Sequence, residues 1–344
     1  ILVLSIVSYY FIERPFRHKK NKFSFLSSII IILILIIFSL NYKIIKKDGY
    51  KNRLPEILNS SFSGILWKGL KNSNGEICFS NIQGCEFNIS SNSKVFIIGD
   101  SHAGSLMLDL KDKVIKKKYQ FRTLVSSGCL YFPGFNLVDK KTGKINKICN
   151  DEYFQKLKKI LSKETNSIFI FSGRFPLYLS NIYFDNQEDG IEGKEWYESY
   201  ISVGKYQTLQ NSFKNEILKL SKNNKIILIY PIPEVGWNPN QKILSQWTKR
   251  NKFSKNFILE NKTTNYEVYK DRTKSSFELL NSIKGKNIYK IYPHELFCDT
   301  IIKNRCITHD DKNIFYSDKN HPSIKGAEMI NGLIMREIEK IESR

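Results

Sequence analysis

The chain has two parts with different hydrophobic patterns. The first contains a long apolar run, and in the second short apolar runs alternate with amphipathic stretches. Residues 23–40, FSFLSSIIIILILIIFSL, carry no charge and are long enough to cross the hydrocarbon core of a bilayer. The preceding run, ILVLSIVSYYFI, has the composition of the end of another spanning helix and stops at the sequence ERP, which cannot continue in lipid. We therefore expect a membrane hairpin, with residues 1–22 as the end of a membrane domain plus a basic loop and residues 23–43 as a transmembrane helix.

Short apolar runs alternate with amphipathic stretches in the second part of the chain. The apolar runs have the length of buried strands and lie at residues 95–98, 121–125, 168–171, 226–230 and 288–291. Helical patterns follow the first run up to Lys117 and recur at residues 152–162, 207–223, 272–283 and 323–341. This alternation predicts an α/β fold with three layers, in which a parallel sheet has helices on both faces.

The same pattern indicates where the domain and its loops lie. Residues 44–93 are polar, with Gly and Asn punctuation, and are expected to form a linker and lead-in segment. The folded domain is expected to span residues 94–344. Two aromatic-rich insertions, 180–210 and 236–270, fall at loop positions, where they either shape a binding cleft or cap the fold. Because the chain begins inside an apolar run with no initiator Met, we expect it to be the C-terminal piece of a longer protein.

The charge and the apolar fraction narrow the class of protein. An apolar content of 41%, with 13% aromatic residues, can fill a core and excludes a disordered chain. The net charge is +21, but lysine is spread along the whole chain, and no zinc-finger, RNP-like or basic-zipper pattern accompanies it. We therefore expect no nucleic-acid partner, while attraction to an acidic glycan or to lipid head groups stays open.

Six cysteines fall into three pairs that are local in sequence. The pairs are Cys78 with Cys85, Cys129 with Cys149, and Cys298 with Cys306. No C-x-x-C occurs and no histidine lies at ligand spacing from a pair, so disulfides are favoured over zinc and we expect no metal. Free buried cysteines are the remaining alternative. Basic residues flank both ends of the apolar run in similar numbers, so the positive-inside rule does not decide which side of the membrane the large domain occupies. The expected disulfides place it in an oxidising, extracytoplasmic compartment.

A candidate nucleophile follows the first strand. Gly99, Asp100, Ser101 and His102 lie where that strand turns into the first helix, so a serine hydroxyl is held over the edge of the sheet. Backbone amides and the positive end of the helix stabilise an anion at such a place. A helix cap is the alternative role for Ser101, and capping or packing is the ordinary role for His102.

A second motif supplies the groups that a nucleophilic serine needs. Asp318 and His321 lie in SDKNHPS, just before the last helical pattern, and the D-x-x-H spacing lets one tight turn present both side chains. An imidazole takes the hydroxyl proton, while a carboxylate fixes the tautomer of the imidazole and stabilises the imidazolium. Together the two motifs predict Ser101, His321 and Asp318 as a catalytic triad.

These motifs resemble the SGNH hydrolase superfamily, and specifically the SGNH domain fused behind an acyltransferase-3 membrane domain in bacterial surface-glycan O-acyltransferases. The N-terminal YYFIERPFR resembles the last segment of that membrane domain. The resemblance implies that Ser101, Asp318 and His321 are catalytic and that the Ser101 amide and Gly128 donate to the oxyanion. The superfamily asparagine after the third strand is absent here, since FSGRF places a glycine and Arg174 there. Arg174 is the candidate for binding the oxyanion or the acyl group.

The resemblance also implies a reaction and a location. The upstream membrane domain takes an acyl group, acetyl by default, from cytoplasmic acyl-CoA. The SGNH domain, with no cofactor of its own, passes the group to a hydroxyl of a cell-surface polysaccharide such as lipopolysaccharide O-antigen or peptidoglycan. We expect anchoring in the lipid of the bacterial inner membrane with a periplasmic catalytic domain.

Two other functions stay open at this point. The first is an extracytoplasmic esterase that removes acetyl groups from a glycan with the same triad. The second is a non-catalytic glycan-binding module. The tryptophans do not decide between these functions, because they either stack on sugars or pack the fold: Trp67, Trp196, Trp237 and Trp247.

Overall fold

The computed structural model of this 344-residue chain describes five segments, residues 2–17, 23–50, 55–61, 69–250 and 260–343. The chain divides into two units, Ile1–Pro55 and Glu56–Arg344. Residues 18–22 of the predicted basic loop, Trp67, and part of the 236–270 insertion lie outside the described residues.

The first unit is helical. Helix α1 (Leu2–Ser8) passes through a π-helical turn (Tyr9–Glu13) into α2 (Arg14–Arg17), so helical structure continues through the ERP sequence. Helix α3 (Phe23–Lys46) ends slightly later than predicted. Among the described residues, Ser27–Lys46 is the one stretch long and apolar enough to cross a membrane, with a mean hydropathy of 2.5. The described part of the predicted hairpin therefore contains one candidate span.

The second unit is built on a six-stranded sheet. Its strands, in spatial order, are β1 (Cys85–Phe87), β3 (Gln120–Val125), β2 (Lys94–Gly99), β5 (Ile168–Ser172), β7 (Lys225–Ile229) and β9 (Ile288–Ile291). All neighbours pair in parallel except β1, which adds an antiparallel edge to β3. Two small antiparallel sheets contain β4 (Phe135–Asp139) with β6 (Glu198–Ser202), and β8 (Thr263–Asn265) with β10 (Arg305–Ile307). Each predicted strand is present.

Five helices begin at side chains that cap them. These helices are α5 (Ser101–Lys116), α6 (Asp151–Leu161), α8 (Leu209–Leu220), α10 (Tyr266–Ser282) and α12 (Ile324–Glu342). In each, the preceding residue accepts a hydrogen bond from a backbone N–H of the first turn: Asp100, Asn150, Thr208, Asn265 and Ser323. The other described helices of this unit are α4 (Glu56–Ser61), α7 (Phe175–Ser180), α9 (Pro239–Arg250) and α11 (His294–Phe297).

The central strand β2 is buried on both faces. Val95 and Ile97 belong to a core that includes α5 and α12, whereas Phe96 and Ile98 belong to a core that includes α6 and α8. Helices therefore cover both faces of the sheet, which explains why β2 is continuously apolar in sequence. This is the predicted three-layer α/β fold.

The core also extends ahead of residue 94. Leu70, Cys78 and Cys85 are buried in the core that contains α5. The folded unit thus includes residues that the sequence pattern assigns to the linker and lead-in, because the three-residue strand β1 is too short to show a periodicity.

The three disulfide pairs expected from sequence are present. Cys78–Cys85 joins the lead-in to β1, Cys129–Cys149 closes the segment between β3 and α6, and Cys298–Cys306 joins the end of α11 to β10. The cysteines are separated in sequence by 7, 20 and 8 residues respectively.

Candidate active site

The turn between β2 and α5 presents Ser101. Gly99 has φ +149°, and a Cβ built on it would lie 1.7 Å from the carbonyl oxygen of Ser172, so only glycine fits this turn. Asp100 is the residue that caps α5, because its Oδ1 accepts from the His102 N–H at 2.7 Å. The capping role considered for Ser101 therefore belongs to its neighbour. The hydroxyl of Ser101 is left available at the carboxyl end of the sheet.

A tight turn before α12 presents His321 and Asp318. Asp318 Oδ1 accepts from the backbone N–H groups of Asn320 and His321, at 3.0 and 2.9 Å, and these bonds close the turn. Asp318 Oδ2 lies 2.8 Å from His321 Nδ1. Burial alone would raise the pKa of the Asp318 carboxyl, but the hydrogen bonds from the His321 ring and the two amides hold it well below its usual range.

The two turns meet at a single hydrogen bond. His321 Nε2 lies 2.8 Å from Ser101 Oγ, so the structure brings the three predicted triad residues together in one chain of contacts. An ionised Asp318 accepts from Nδ1–H, which leaves the Nε2 lone pair for the Ser101 proton. This geometry allows His321 to act as a general base and Asp318 to stabilise the imidazolium.

Ser101 and His321 lie in a cleft of about 420 Å³. Its walls combine aromatic and polar side chains. Five of them belong to the 180–210 insertion: Tyr183, Glu192, Trp196, Tyr197 and Glu198. The others are Ser80, Ser127, Gly128, Asn146, Ile148, Arg174, Leu177, Tyr178 and Asn320. Trp196 is 4% exposed and packs against Tyr178, whereas Tyr197 is 55% exposed at the rim. The insertion therefore shapes the cleft, one of the two roles left open by its sequence.

A family model described as "SGNH domain (fused to AT3 domains)" matches residues 71–336 of the chain. The chain belongs to this family. Similar solved structures include the periplasmic domain of a lipopolysaccharide acetyltransferase from Salmonella ser. Paratyphi A, at 18% identity and TM-score 0.47, covering 77% of this chain and 92% of that one. A family two carbohydrate esterase from Clostridium thermocellum is 12% identical with TM-score 0.35, covering 73% of this chain and 65% of that one. A comparison with curated proteins finds no match.

Ser101 and Gly128, whose backbone amides are the oxyanion donors expected from sequence, line the same cleft of the SGNH domain. Gly128 lines the same cleft as Ser101 and has φ +69°, and its carbonyl accepts from the Tyr200 hydroxyl at 2.8 Å. Within the described residues, no hydrogen bond engages the N–H of Gly128 or of Ser101. Both amides are therefore available to an oxyanion, the role that the resemblance implies for them.

Arg174, the oxyanion donor or acyl-binding group expected from sequence, lines the cleft, and two glutamates engage its side chain. Its Nε donates to Glu234 Oε1 at 2.6 Å, and its terminal nitrogens bond to Glu192 and Glu234. Arg272 Nε donates to the other oxygen of Glu234 at 3.0 Å. Burial alone would raise the pKa of Glu234, but the two guanidinium groups lower it to about 2. The Arg174 side chain is thus held in a buried network of two arginines and two glutamates.

Asn320 and His102 connect this network to the triad. Asn320 Nδ2 donates to Glu192 Oε1 at 3.2 Å, and Asn320 Oδ1 lies 3.2 Å from His102 Nε2. The His102 ring lies edge-on to that of His321, with centroids 5.3 Å apart. Burial lowers the pKa of His102 to about 4, so it is neutral at pH 7 and donates through Nε2–H to Asn320.

Sequence reasoning missed Asn320, Glu192 and Glu234. Glu192 and Glu234 have no local motif, because their partners lie 18 and 60 residues away from them at Arg174. The sequence did contain one indication for Asn320, because this residue lies inside the D-x-x-H turn between two predicted triad residues. Among the described residues, His294 and His309 do not line the cleft. His294 packs against Tyr269, with ring centroids 5.5 Å apart.

Proposed function

We propose that this chain is the membrane-anchored, extracytoplasmic part of an O-acyltransferase that passes an acyl group, acetyl by default, to a hydroxyl of a cell-surface polysaccharide. One observation carries the proposal: an unbroken hydrogen-bonded chain from Asp318 through His321 to Ser101 at a cleft, in an SGNH domain of the family fused to AT3 domains. Family membership supports an upstream AT3 membrane domain as the partner. In this proposal acyl-CoA on the cytoplasmic side supplies the acyl group to that partner, and α3 anchors the chain in lipid.

The proposed reaction has two half-reactions on Ser101. In the first, Ser101 Oγ attacks the acyl carbonyl while its proton moves to His321 Nε2, and the tetrahedral oxyanion accepts from the amides of Ser101 and Gly128. The leaving group takes the proton from His321, which leaves an ester on Ser101. In the second, a sugar hydroxyl attacks that ester and gives its proton to His321. Collapse of the tetrahedral intermediate returns a proton to Ser101 and releases the acylated sugar.

Hydrolysis of acetylated glycan is the second candidate function. It uses the same groups in the same cleft, with water in place of the sugar hydroxyl. The length and apolar composition of α3, which suit a membrane anchor, and the fusion of this family to AT3 domains favour transfer, because an esterase needs neither.

The test compares three reactions of the full chain in detergent. It should release aryl alcohol slowly from 4-nitrophenyl acetate, fail to use acetyl-CoA, and transfer acetyl to an added neutral oligosaccharide, detected by mass spectrometry. Ser101→Ala should abolish all turnover. Efficient deacetylation of an acetylated glycan, with no transfer to any sugar, would replace the transferase proposal by the esterase.

A further inference from the structure

The cleft beside Ser101 contains no lysine among the described residues, although the chain has 54 lysine and arginine residues. The charged side chains that line it, apart from the triad histidine, are Arg174, Glu192 and Glu198. A second cavity, of about 310 Å³, has the opposite character. It is lined by Arg122, by one glutamate and by three lysines of α6 and its C-terminal end. The absence of lysine from the first cleft is therefore a local feature of a strongly basic protein.

The one positive charge in the cleft wall is already compensated. The Arg174 guanidinium is bonded to Glu192 and Glu234, and Glu234 also binds Arg272. These two arginines and two glutamates balance in charge, and both arginine side chains are largely buried, 8% and 10% exposed. An anion that entered the cleft would have to displace Glu192 from Arg174 to reach a cation.

Two carboxylates remain uncompensated around the cleft. Glu198 Oε1 accepts from Asn146 Nδ2 at 3.0 Å, and among the described residues it forms no ion pair. Asp318 is ionised and faces His321, which is neutral when it acts as a base. With His321 neutral, the side chains around the cleft and their ion-pair partners therefore carry a net negative charge. Like charges brought together at a binding site weaken the binding of that ligand.

We propose that the acceptor residue bound beside Ser101 is an uncharged sugar, and that the cleft rejects sugars that carry a carboxylate, such as uronic acids. This inference rests on the proposed function and adds the substrate class. The aromatic side chains of Tyr183 and Tyr197 offer apolar surface to the faces of a sugar ring, while the Glu198 carboxylate offers hydrogen-bond acceptors to its hydroxyls. Overall positive charge attracts acidic polymers to the protein surface, but this cleft selects against them.

The test measures occupancy of the cleft alone, because acidic sugars also bind basic surfaces elsewhere. Wild-type full chain is labelled at Ser101 with a fluorophosphonate, and the concentration of sugar that halves the labelling rate is recorded. The probes are trigalacturonic acid and its fully methyl-esterified form, which share a backbone and differ in charge, together with maltotriose and cellotriose as further neutral sugars. We expect at least one neutral probe to protect Ser101 at a concentration at least tenfold lower than trigalacturonic acid does.

Two variants assign the discrimination to the cleft. Glu198→Gln should let trigalacturonic acid protect Ser101 at a lower concentration, so that the ratio of its protecting concentration to that of the neutral sugar falls to a few-fold. Glu195→Gln, which removes a carboxylate that is 82% exposed and lies outside the cleft, should leave the ratio unchanged. Equal or better protection by the acid, or no protection by any neutral probe, would overturn the inference. A Ser101 that labels and is protected by neutral sugars, yet transfers acetyl to none, would overturn the transferase proposal instead.

Discussion

The backbone N–H of Arg174 donates to Asp100 Oδ2 at 2.7 Å. The Tyr178 hydroxyl donates to the same oxygen at 2.5 Å. The Asp100 carboxylate therefore joins the end of β5 and the start of α7 to the turn that carries Ser101. Since the Arg174 amide is used in this contact, the segment after β5 supports the nucleophile turn and does not supply an oxyanion donor from that amide.

Asp100→Asn should destabilise the domain by about 2–4 kcal/mol and lower turnover of 4-nitrophenyl acetate. The asparagine keeps one acceptor oxygen, but its NH₂ group must face at least one of three donors, the N–H groups of His102 and Arg174 and the Tyr178 hydroxyl. Urea unfolding followed by circular dichroism measures the change. Tyr178→Phe, which removes a single donor, should cost roughly 1–2 kcal/mol. An Asp100→Asn variant as stable as wild type would contradict this account.

Ser101→Ala and His321→Ala should each lower aryl acetate turnover by on the order of 10⁴-fold or more, with little change in thermal unfolding. Asp318→Ala should retain more activity, because it leaves the nucleophile and the base in place. The double variant Ser101→Ala/His321→Ala should be no worse than either single one, since the groups act as a unit. Wild-type turnover in Ser101→Ala would show that another residue is the nucleophile.

Glu234→Gln should lower the free energy of unfolding at pH 7 by roughly 3–5 kcal/mol, because it leaves two buried guanidinium groups with one carboxylate. The pKa of Glu234 falls from 4.5 to about 2 on folding. Between these values the unfolded chain binds more protons than the folded one, so the contribution of Glu234 is complete above pH 4.5 and disappears as pH falls towards 2.

The measurement is the difference in stability between wild type and Glu234→Gln as a function of pH. That difference should shrink steadily from pH 4.5 to 2, and it should be flat from pH 5 to 7. Subtracting the two proteins cancels carboxyl groups that do not contact Arg174 or Arg272, such as Asp318. A difference that stayed constant down to pH 2 would show that the network does not shift the ionisation of Glu234.

Gly99→Ala and Gly128→Ala should differ sharply, although both glycines have positive φ. A Cβ at Gly99 meets the Ser172 carbonyl oxygen at 1.7 Å, so we expect a loss of roughly 3 kcal/mol or more and no turnover. At Gly128 the nearest atom is Leu137 Cδ2 at 3.9 Å, so the cost is backbone strain of about 1–2 kcal/mol. Its N–H is retained, and turnover should fall by less than about tenfold. Similar melting curves for the two variants would contradict this difference.

Replacing Cys129 and Cys149 by serine should cost about 2–5 kcal/mol and also lower turnover, since Gly128 precedes the first cysteine in the cleft wall. Replacing Cys298 and Cys306 should lower stability with a smaller effect on turnover, because neither residue lines the cleft. Mass spectrometry under non-reducing conditions checks the three pairs in protein purified from cells. Free thiols there would contradict the proposed extracytoplasmic location.

The sequence predicts the sheet and the triad because both have local signatures. Strand β7 (Lys225–Ile229), for example, contains a run of four buried apolar residues at 226–229. Asp318 and His321 are three residues apart in one turn. Nothing local predicts the Arg174 network, whose members come together only when separate loops meet at the sheet edge. The absent asparagine after the third strand made Arg174 a reasonable oxyanion candidate, and only the positions of Glu192 and Glu234 show that its charge is already used.

The separation of Ser101 from His321 by 220 residues gives the protein an order of assembly. While the chain is being synthesised, the serine leaves the ribosome long before its base exists, and a serine without a base is a weak nucleophile. The turn that carries Asp318 and His321 directly precedes α12. Helix α12 packs on α5, where Asn331 Nδ2 donates to the Leu106 carbonyl oxygen at 2.9 Å. The triad is therefore complete only when the segment that ends in α12 has packed against α5, and a chain interrupted before His321 lacks the base that Ser101 needs.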